Sequence, residues 1–212
     1  FVNTIAADVE GGALYADMSA IPNVSSELIE RCAVDTETGQ RAITLNGSDP
    51  SCNWQIDSRA AYPGLMPPTE QPSLITDTYV SNSNDSYWLS NPDNPLEGFS
   101  PIIGNEQLTR SLRTRAGLKF VEEVLNSDQK FNQSMVQNLL FNHRHYGAEI
   151  FLDDILTVCV QSEDLQEACE ILAQWDRRQD LDSVGAVIFN RFWSIAGTVS
   201  DHYLVPFDVN NP

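Results

Sequence analysis

The sequence predicts an α+β protein in which the β-rich part and the helical part follow each other along the chain. Through residue 104, short β-compatible runs alternate with long segments punctuated by proline and glycine. From residue 105 onward, apolar residues recur at helical spacing. Because strands and helices are segregated rather than alternating, we predict a β-rich and long-loop segment over 1–104 and a helical subdomain over 105–212.

The β-rich segment begins with a pattern typical of a hairpin. Residues 2–8 and 13–17 are β-compatible runs, and the Glu-Gly-Gly sequence at 10–12 supplies residues that tolerate positive φ. Prolines and glycines interrupt residues 20–72, which we predict to be irregular. A third strand is predicted over residues 75–80.

The helical subdomain contains five apolar patterns, each of which places its apolar side chains on one helix face. Their members are Leu108, Leu112, Ala116, Phe120 and Val124; Phe131, Met135, Val136, Leu139 and Leu140; Phe151, Leu152, Ile155, Leu156 and Cys159; Leu165, Ala168, Cys169, Leu172 and Trp175; and Val184, Val187, Ile188, Phe192 and Ile195. Asp164 and Glu167 have the spacing of a capping box for the fourth helix, and Ser183 is the predicted N-cap of the fifth.

The four cysteines fall into two well-separated local pairs. This arrangement predicts the disulfides Cys32–Cys52 and Cys159–Cys169, which would place the protein outside the cytosol. Four free, buried thiols are the alternative. A zinc site is disfavoured because the sequence has no CxxC spacing and its histidines lie outside both pairs.

The charge of the chain limits its partners. Twelve basic and 30 acidic residues leave a formal net charge of −18. Nucleic acid and anionic membrane surfaces would repel such a chain, so we predict neither as a partner. No run of about 18 apolar residues is present, so no membrane span is predicted. This composition fits a soluble periplasmic or secreted protein.

Asn84 lies in the most informative stretch of the sequence. Residues 82–88 read Asn-Ser-Asn-Asp-Ser-Tyr-Trp, and residues 100–104 read Ser-Pro-Ile-Ile-Gly. Amide hydrolysis passes through an anionic tetrahedral intermediate, which a neutral carboxamide N–H can stabilise without adding negative charge. From the residue types alone, however, Asn, Ser and Asp after a strand are typical of local Asx turns and caps.

These two segments resemble the penicillin acylase (penicillin amidase) family of N-terminal-nucleophile hydrolases, most closely its acyl-homoserine-lactone acylase and aculeacin-type acylase branch. Weaker similarity covers residues 3–15 and 185–193. The resemblance implies that the chain is part of the β-chain of such a hydrolase. It also implies that Asn84 is a side-chain donor of the oxyanion hole, with Asn82 as the alternative in register.

The family also carries an arginine downstream of this asparagine, at the start of a helix, which orients catalytic groups. The resemblance assigns this role to Arg113, while Arg110 and Arg115 are the neighbouring candidates. A solvated basic helix face is the alternative interpretation of each of the three arginines.

The resemblance further implies a reaction and its partners. In the family, the N-terminal serine of the β-chain attacks an acyl carbonyl, and its own α-amino group acts as the base. The expected substrates are small amides such as acyl-homoserine lactones or penicillins. This chain begins with Phe1 and looks like an internal piece of a β-chain, so we expect it to be inactive by itself. The rest of the β-chain and an α-chain are its expected partners, in the periplasm or outside the cell.

Two further groups of residues are candidate metal ligands. His143 and His145 could share a strand face, but their surroundings predict surface histidines in a loop between helices. Some family members bind a structural calcium ion, for which Asp85 and Asp93 are the nearest carboxylates. Calcium takes about six to eight oxygen ligands, so we predict no cofactor, with a structural calcium left open.

A secreted, acidic binding or scaffold module without catalysis is the alternative function. The long loop region, stapled by a disulfide, and the helical subdomain would both suit such a module. A Gly-Ser junction encoded upstream of Phe1, followed by a histidine about twenty residues later, would favour the acylase, because acyl transfer of this kind requires an activated nucleophile. A signal peptide joined directly to Phe1 would favour the binding module.

Overall fold

In the computed structural model, which describes residues 3–34, 43–127, 130–159, 161–199 and 205–210, the chain divides into two units. The N-terminal unit comprises Phe1–Thr109 together with Val209–Pro212, and the helical unit comprises Arg110–Asp208. The first contains a small antiparallel sheet and the second five α-helices among its described residues, so the α+β class is confirmed. The division predicted from sequence at 104/105 falls just before the boundary between the units.

The sheet of the N-terminal unit has the strand order β1-β2-β3, with β1 at Asn3–Ala7, β2 at Ala13–Asp17 and β3 at Ser73–Thr76. Both pairings are antiparallel, which confirms the predicted hairpin. In its turn, Gly11 has a φ of 99°, and the Asp8 carboxylate accepts the backbone N–H of Gly12 at 2.8 Å. This side-chain bond closes the turn locally.

The third strand ends earlier than predicted, because residues 77–80 lie outside it. Thr76 pairs with Ala13, which is the first residue of β2. Beyond Ala13 the partner chain turns away into the hairpin loop, so residues after Thr76 have no strand to pair with. The β-compatible pattern therefore continues past the point at which tertiary pairing stops.

A short helix, α1 at Ser26–Cys32, lies within the region predicted to be irregular. Ser25 caps it by accepting the backbone N–H of Leu28 at 3.2 Å. Leu28 and Cys32 are buried on one face, and the Cys32–Cys52 disulfide ties this helix to the following loop. The predicted bond is thus confirmed, whereas the helix was missed because seven residues are too short for a clear periodic pattern.

The helical unit contains α2 at Leu112–Leu125, α3 at Gln133–Phe141, α4 at Tyr146–Cys159, α5 at Gln166–Ala173 and α6 at Ala186–Ala196. These correspond to the five predicted helices. The Cys159–Cys169 disulfide joins α4 to α5 and confirms the second predicted bond. The core of this unit is formed by Ala148, Leu152, Leu172, Trp175, Ala186 and Phe189.

Both predicted helix caps in this unit are wrong. Helix α5 follows a 3₁₀ turn at Glu163–Leu165, and its N-cap residue Leu165 makes no side-chain capping bond. Helix α6 has Gly185 as its N-cap, with a φ of 110°. A Cβ on Gly185 would lie 2.7 Å from the Cβ of Trp175, so packing against this tryptophan requires glycine. Ser183 instead lies 3.0 Å from a carboxylate oxygen of Asp176, to which its hydroxyl donates.

Arg144 connects α2 to the start of α4. Its Nη1 lies 2.6 Å from Oε2 of Glu123, and its Nε lies 2.6 Å from Oε1 of Glu149. The guanidinium carbon also stands 3.9 Å from the ring centroid of Phe120. The Arg144 side chain is 22% exposed, so it is partly shielded from solvent and its ion pairs are stronger than surface pairs. Within the described residues, no helix is both long enough and apolar enough to cross a membrane.

We expect Arg144→Met to lower the free energy of unfolding by about 1–2 kcal/mol, because Glu123 and Glu149 would both lose their cation. The measurement is urea unfolding followed by circular dichroism. Arg191→Met, which changes an exposed arginine of α6, is the matched control and should stay within about 0.5 kcal/mol of wild type. Equal effects of the two substitutions would contradict this role of Arg144.

Candidate functional site

Asn82 and Asn84 form a tight turn in the loop that follows β3. The side-chain Oδ1 of Asn82 accepts the backbone N–H of Asn84 at 2.8 Å, and its Nδ2 donates to the carbonyl of Asp85 at 3.3 Å. Asn84 has a φ of 57°, a left-handed conformation that asparagine adopts more readily than most residues. The turn therefore holds the backbone locally while Asn84 itself remains exposed at the surface of the N-terminal unit.

The buried side chain of Asn91 joins the two ends of the same loop. This residue is fully buried, and its Nδ2 donates to the hydroxyl of Thr78 at 3.0 Å and to the carbonyl of Tyr79 at 2.9 Å. Its Oδ1 accepts the backbone N–H of Asp93 at 2.8 Å. A buried carboxamide with these partners rigidifies the two ends of the loop around Asn84. Sequence reasoning missed Asn91, whose only signal was its place in the Leu-Ser-Asn-Pro run after Trp88.

The carboxylate of Glu106 accepts a second set of hydrogen bonds next to this loop. Its Oε1 accepts the hydroxyl of Tyr87 at 2.6 Å and the backbone N–H of Phe99 at 3.0 Å, and its Oε2 accepts that of Gly98 at 2.9 Å. Burial of Tyr87, and then its bond to this carboxylate, raise the pKa of the phenol far above its ordinary value. Tyr87 is therefore a neutral hydrogen-bond donor at all physiological pH values.

Tyr15 and Asp17 lie on the same face of β2 and form a buried polar pair. The hydroxyl of Tyr15 donates to Oδ1 of Asn3 at 2.5 Å. Burial, reinforced by the nearby Asp17 charge, raises the pKa of Tyr15 well above its usual range. Burial also raises the pKa of Asp17, whose Oδ1 has no hydrogen-bond partner within the part of the chain that the structure describes. Neither residue was singled out from the sequence.

The three candidate arginines differ in their burial. Arg113 lies in the first turn of α2 and is exposed, as is Arg115. Arg110 precedes the helix and is only 7% exposed. Burial restricts the orientations of a guanidinium, so the direction of Arg110 is the most strongly determined of the three. All three belong to the helical unit, whereas Asn82 and Asn84 belong to the N-terminal unit.

The two histidines between α3 and α4 have different partners. His143 is exposed, and its Nδ1 lies 2.5 Å from Oδ1 of Asp180. His145 is half-buried, contrary to the surface position predicted from sequence, and its ring contacts Phe189 with centroids 4.9 Å apart. Its Nδ1 accepts the backbone N–H of Ala148 at 3.2 Å, so this histidine caps α4.

The carboxylate of Asp85, next to Asn84 in the turn, makes a local contact. Asp85 accepts the backbone N–H of Ser86 at 2.8 Å. Among the residues whose positions are described, no group of three or more His, Cys, Asp or Glu side chains could hold a metal ion. That the chain has no cofactor, with a structural calcium left open, therefore stays a prediction.

Comparison with known proteins places this chain in a family. The penicillin amidase family model matches residues 1–201. Aculeacin-A acylase of Actinoplanes utahensis is 37% identical over 233 residues, which cover 100% of this chain and 29% of that relative. The acyl-homoserine lactone acylase PvdQ of Pseudomonas syringae pv. syringae (strain B728a) is 35% identical over 218 residues, which cover 100% of this chain and 28% of the relative. The chain thus spans less than a third of the length of these relatives, and the resemblance seen in the sequence is confirmed.

His145 is expected to make stability depend on pH. Burial lowers its pKa below the value of about 6.5 that it has in the unfolded chain. The unfolded state therefore binds more protons, and the stability present above about pH 6.5 is lost as the pH falls towards the folded pKa.

We expect His145→Asn, which keeps a side-chain acceptor for the N–H of Ala148, to remove this part of the pH dependence. The measurement is the free energy of unfolding in urea at intervals between about pH 5 and 8. The substitution also removes ring packing, which lowers stability equally at every pH, so the slope is the diagnostic quantity. Parallel curves for wild type and variant would contradict the assignment.

Proposed function

Because the chain belongs to the penicillin amidase family, we propose that it forms part of the β-chain of an N-terminal-nucleophile acylase. The proposed reaction is hydrolysis of the amide bond that holds the acyl side chain of acyl-homoserine lactones, penicillins or related compounds. The printed names of the relatives support this class, since they are acylases. In the structure, the supporting observation is the turn that presents Asn84 at the surface in the loop after the sheet.

The proposed reaction needs a hydrogen-bond donor that stabilises the negatively charged oxygen of the tetrahedral intermediate. A serine at the start of the complete β-chain attacks the acyl carbonyl, its α-amino group takes up the proton, and the carbonyl oxygen becomes anionic. The carboxamide N–H of Asn84 donates to this oxygen, together with a backbone N–H from elsewhere in the protein. As the intermediate collapses, the protonated α-amino group gives its proton to the leaving amine, and water then hydrolyses the acyl-enzyme.

The hydrogen bonds of Asn82 support Asn84 as the donor. Asn82 uses its Nδ2 for the carbonyl of Asp85 and its Oδ1 for the N–H of Asn84. Both polar atoms of its carboxamide thus hold the turn. An oxyanion at the Nδ2 of Asn82 would compete with the Asp85 carbonyl for that donor group.

Arg113 is proposed to orient the catalytic groups from the start of α2. Its exposed position puts the guanidinium at the surface of the helical unit, where another part of the enzyme can contact it. Arg110 is the alternative, and its burial supports a role that demands a constant orientation.

The proposed partners are the remainder of the β-chain and an α-chain, and the proposed location is the periplasm or the outside of the cell. Two disulfides support an oxidising compartment. The net charge of −18 opposes contact with nucleic acid or anionic membranes.

We expect Asn84→Ala in the full-length acylase to lower kcat by about 10²–10³-fold with little change in KM, because the lost donor acts mainly in the transition state. The measurement is release of the acyl acid from an acyl-homoserine lactone. Asn105→Ala, which removes another exposed carboxamide of the N-terminal unit, is the matched control and should retain wild-type kcat. If Asn82→Ala abolished turnover while Asn84→Ala did not, the oxyanion donor would be Asn82.

For Arg113→Ala in the same enzyme we expect a loss of kcat of at least about tenfold, because misplaced catalytic groups react slowly. Lys119→Ala, on the same helix and also exposed, is the control that should leave kcat unchanged. A loss confined to Arg110→Ala would transfer the orienting role to Arg110.

A further inference from the structure

Helix α3 leaves most of its apolar side chains in solvent. Val136 and Leu140 lie four residues apart and therefore share one face of the helix, where they are 54% and 70% exposed. Phe141, at the last position of the helix, is 64% exposed. Met135 and Leu139 are half-buried, and no residue of α3 is fully buried. Nothing in the described part of the chain therefore covers the face that carries Val136 and Leu140.

A helix of this length needs packing to be stable. Helices shorter than about 12–15 residues are marginal in water, and in proteins their stability comes mainly from burial of an apolar face. Helix α3 has nine residues. The Asn132 side chain caps it by accepting the backbone N–H of Met135 at 3.0 Å, but this bond satisfies one backbone donor and buries no apolar surface. A surface that covers Val136 and Leu140 would supply the missing burial.

The composition of α3 indicates what kind of surface covers it. None of its nine residues is charged, although the whole chain contains 12 basic and 30 acidic residues. A helix that faces water normally carries charged side chains on its outer side, whereas the centres of protein interfaces are depleted of them. The outer side of α3 is therefore typical of a dry, uncharged interface.

The lengths of the relatives identify the occupant of this surface. The chain covers only 29% of aculeacin-A acylase and 28% of the acylase PvdQ, so most of a protein of that length lies outside residues 1–212. A second copy of this chain would bring a net charge of −18 towards an equal charge, and the repulsion opposes such a dimer. The remainder of the acylase belongs to the same folded protein, so contact with it requires no encounter between two such chains.

We propose that the outer face of α3, formed by Val136 and Leu140 with Phe141 at its end, is the surface on which the helical unit packs against the remainder of the acylase. The surface opposite it is apolar and uncharged. This inference rests on the proposed function, which makes the chain one part of a longer acylase, and it names the residues of this chain that contact the rest.

The test is the reactivity of a thiol placed on this face in the full-length acylase. Within the described residues no cysteine is free, and wild-type enzyme gives the background of labelling. We expect maleimide to label Leu140→Cys at least about 100-fold more slowly in native than in urea-unfolded enzyme, because the reaction requires the interface to open. Val136→Cys should show the same protection, and it serves as the measurement if Leu140→Cys folds poorly.

Asn138→Cys is the matched control for the labelling. Residue 138 lies two positions before Leu140, which places it on the opposite side of the same helix, and it is exposed. Its thiol should react at nearly the same rate in native and unfolded enzyme.

Leu140→Glu gives an independent measurement. Leucine and glutamate have similar helix propensities, so this substitution tests the surroundings of the side chain rather than the helix itself. We expect it to lower the melting temperature of the full-length enzyme by at least about 3 °C, because it places an unpaired charge in an apolar interface. Asn138→Glu adds the same charge on the opposite side of α3 and should change the melting temperature by less than about 1 °C.

Two results would overturn the proposal. Labelling at position 140 as fast as at position 138 would mean that the face is open in the complete enzyme. Protection that disappears on dilution would mean that a second copy covers it. Failure of the proposed function is a different result, since Asn84→Ala would then retain wild-type kcat whatever the labelling rate at position 140.

Discussion

The hydrogen bond from the backbone N–H of Asn84 to the side chain of Asn82 is the constraint on which the candidate site depends. It stabilises a left-handed residue in a loop, where the backbone would otherwise sample many conformations. A local turn and a catalytic donor are often treated as competing interpretations of such a sequence. Here one asparagine makes the turn and the other is displayed by it, so the structural role of Asn82 is what permits the proposed role of Asn84.

The loop around this turn is organised by buried and half-buried polar side chains rather than by regular secondary structure. Asn91 secures one side through Thr78 and Tyr79, and Glu106 secures the chain that follows through the backbone N–H groups of Gly98 and Phe99. Buried polar groups are costly unless every partner is present, so such an arrangement tolerates few alternative conformations. This rigidity suits oxyanion stabilisation, which requires donors whose orientation exists before the charge develops.

In the helical unit, an apolar core is supplemented by specific contacts between pairs of elements. Arg144 links α2 to α4 through two carboxylates, and the Cys159–Cys169 bond links α4 to α5. The approach of Trp175 to Gly185 then places the start of α6. These contacts join different elements of the unit. Each is made by one or two residues whose types alone do not reveal their tertiary partners.

The sequence by itself determined the α+β class, the hairpin, the five helices of the second unit and both disulfides, because periodicity, turn residues and local cysteine pairing act over short stretches of chain. It also determined the family, through residues 82–88 and 100–104. Only the tertiary structure decided where the third strand ends, that Gly185 rather than Ser183 caps α6, and that the hydroxyl of Tyr15 reaches Asn3. The physical reason is that each of these depends on which distant residue supplies a strand, a ring or a hydrogen-bond partner, and that choice is made by packing rather than by local propensity.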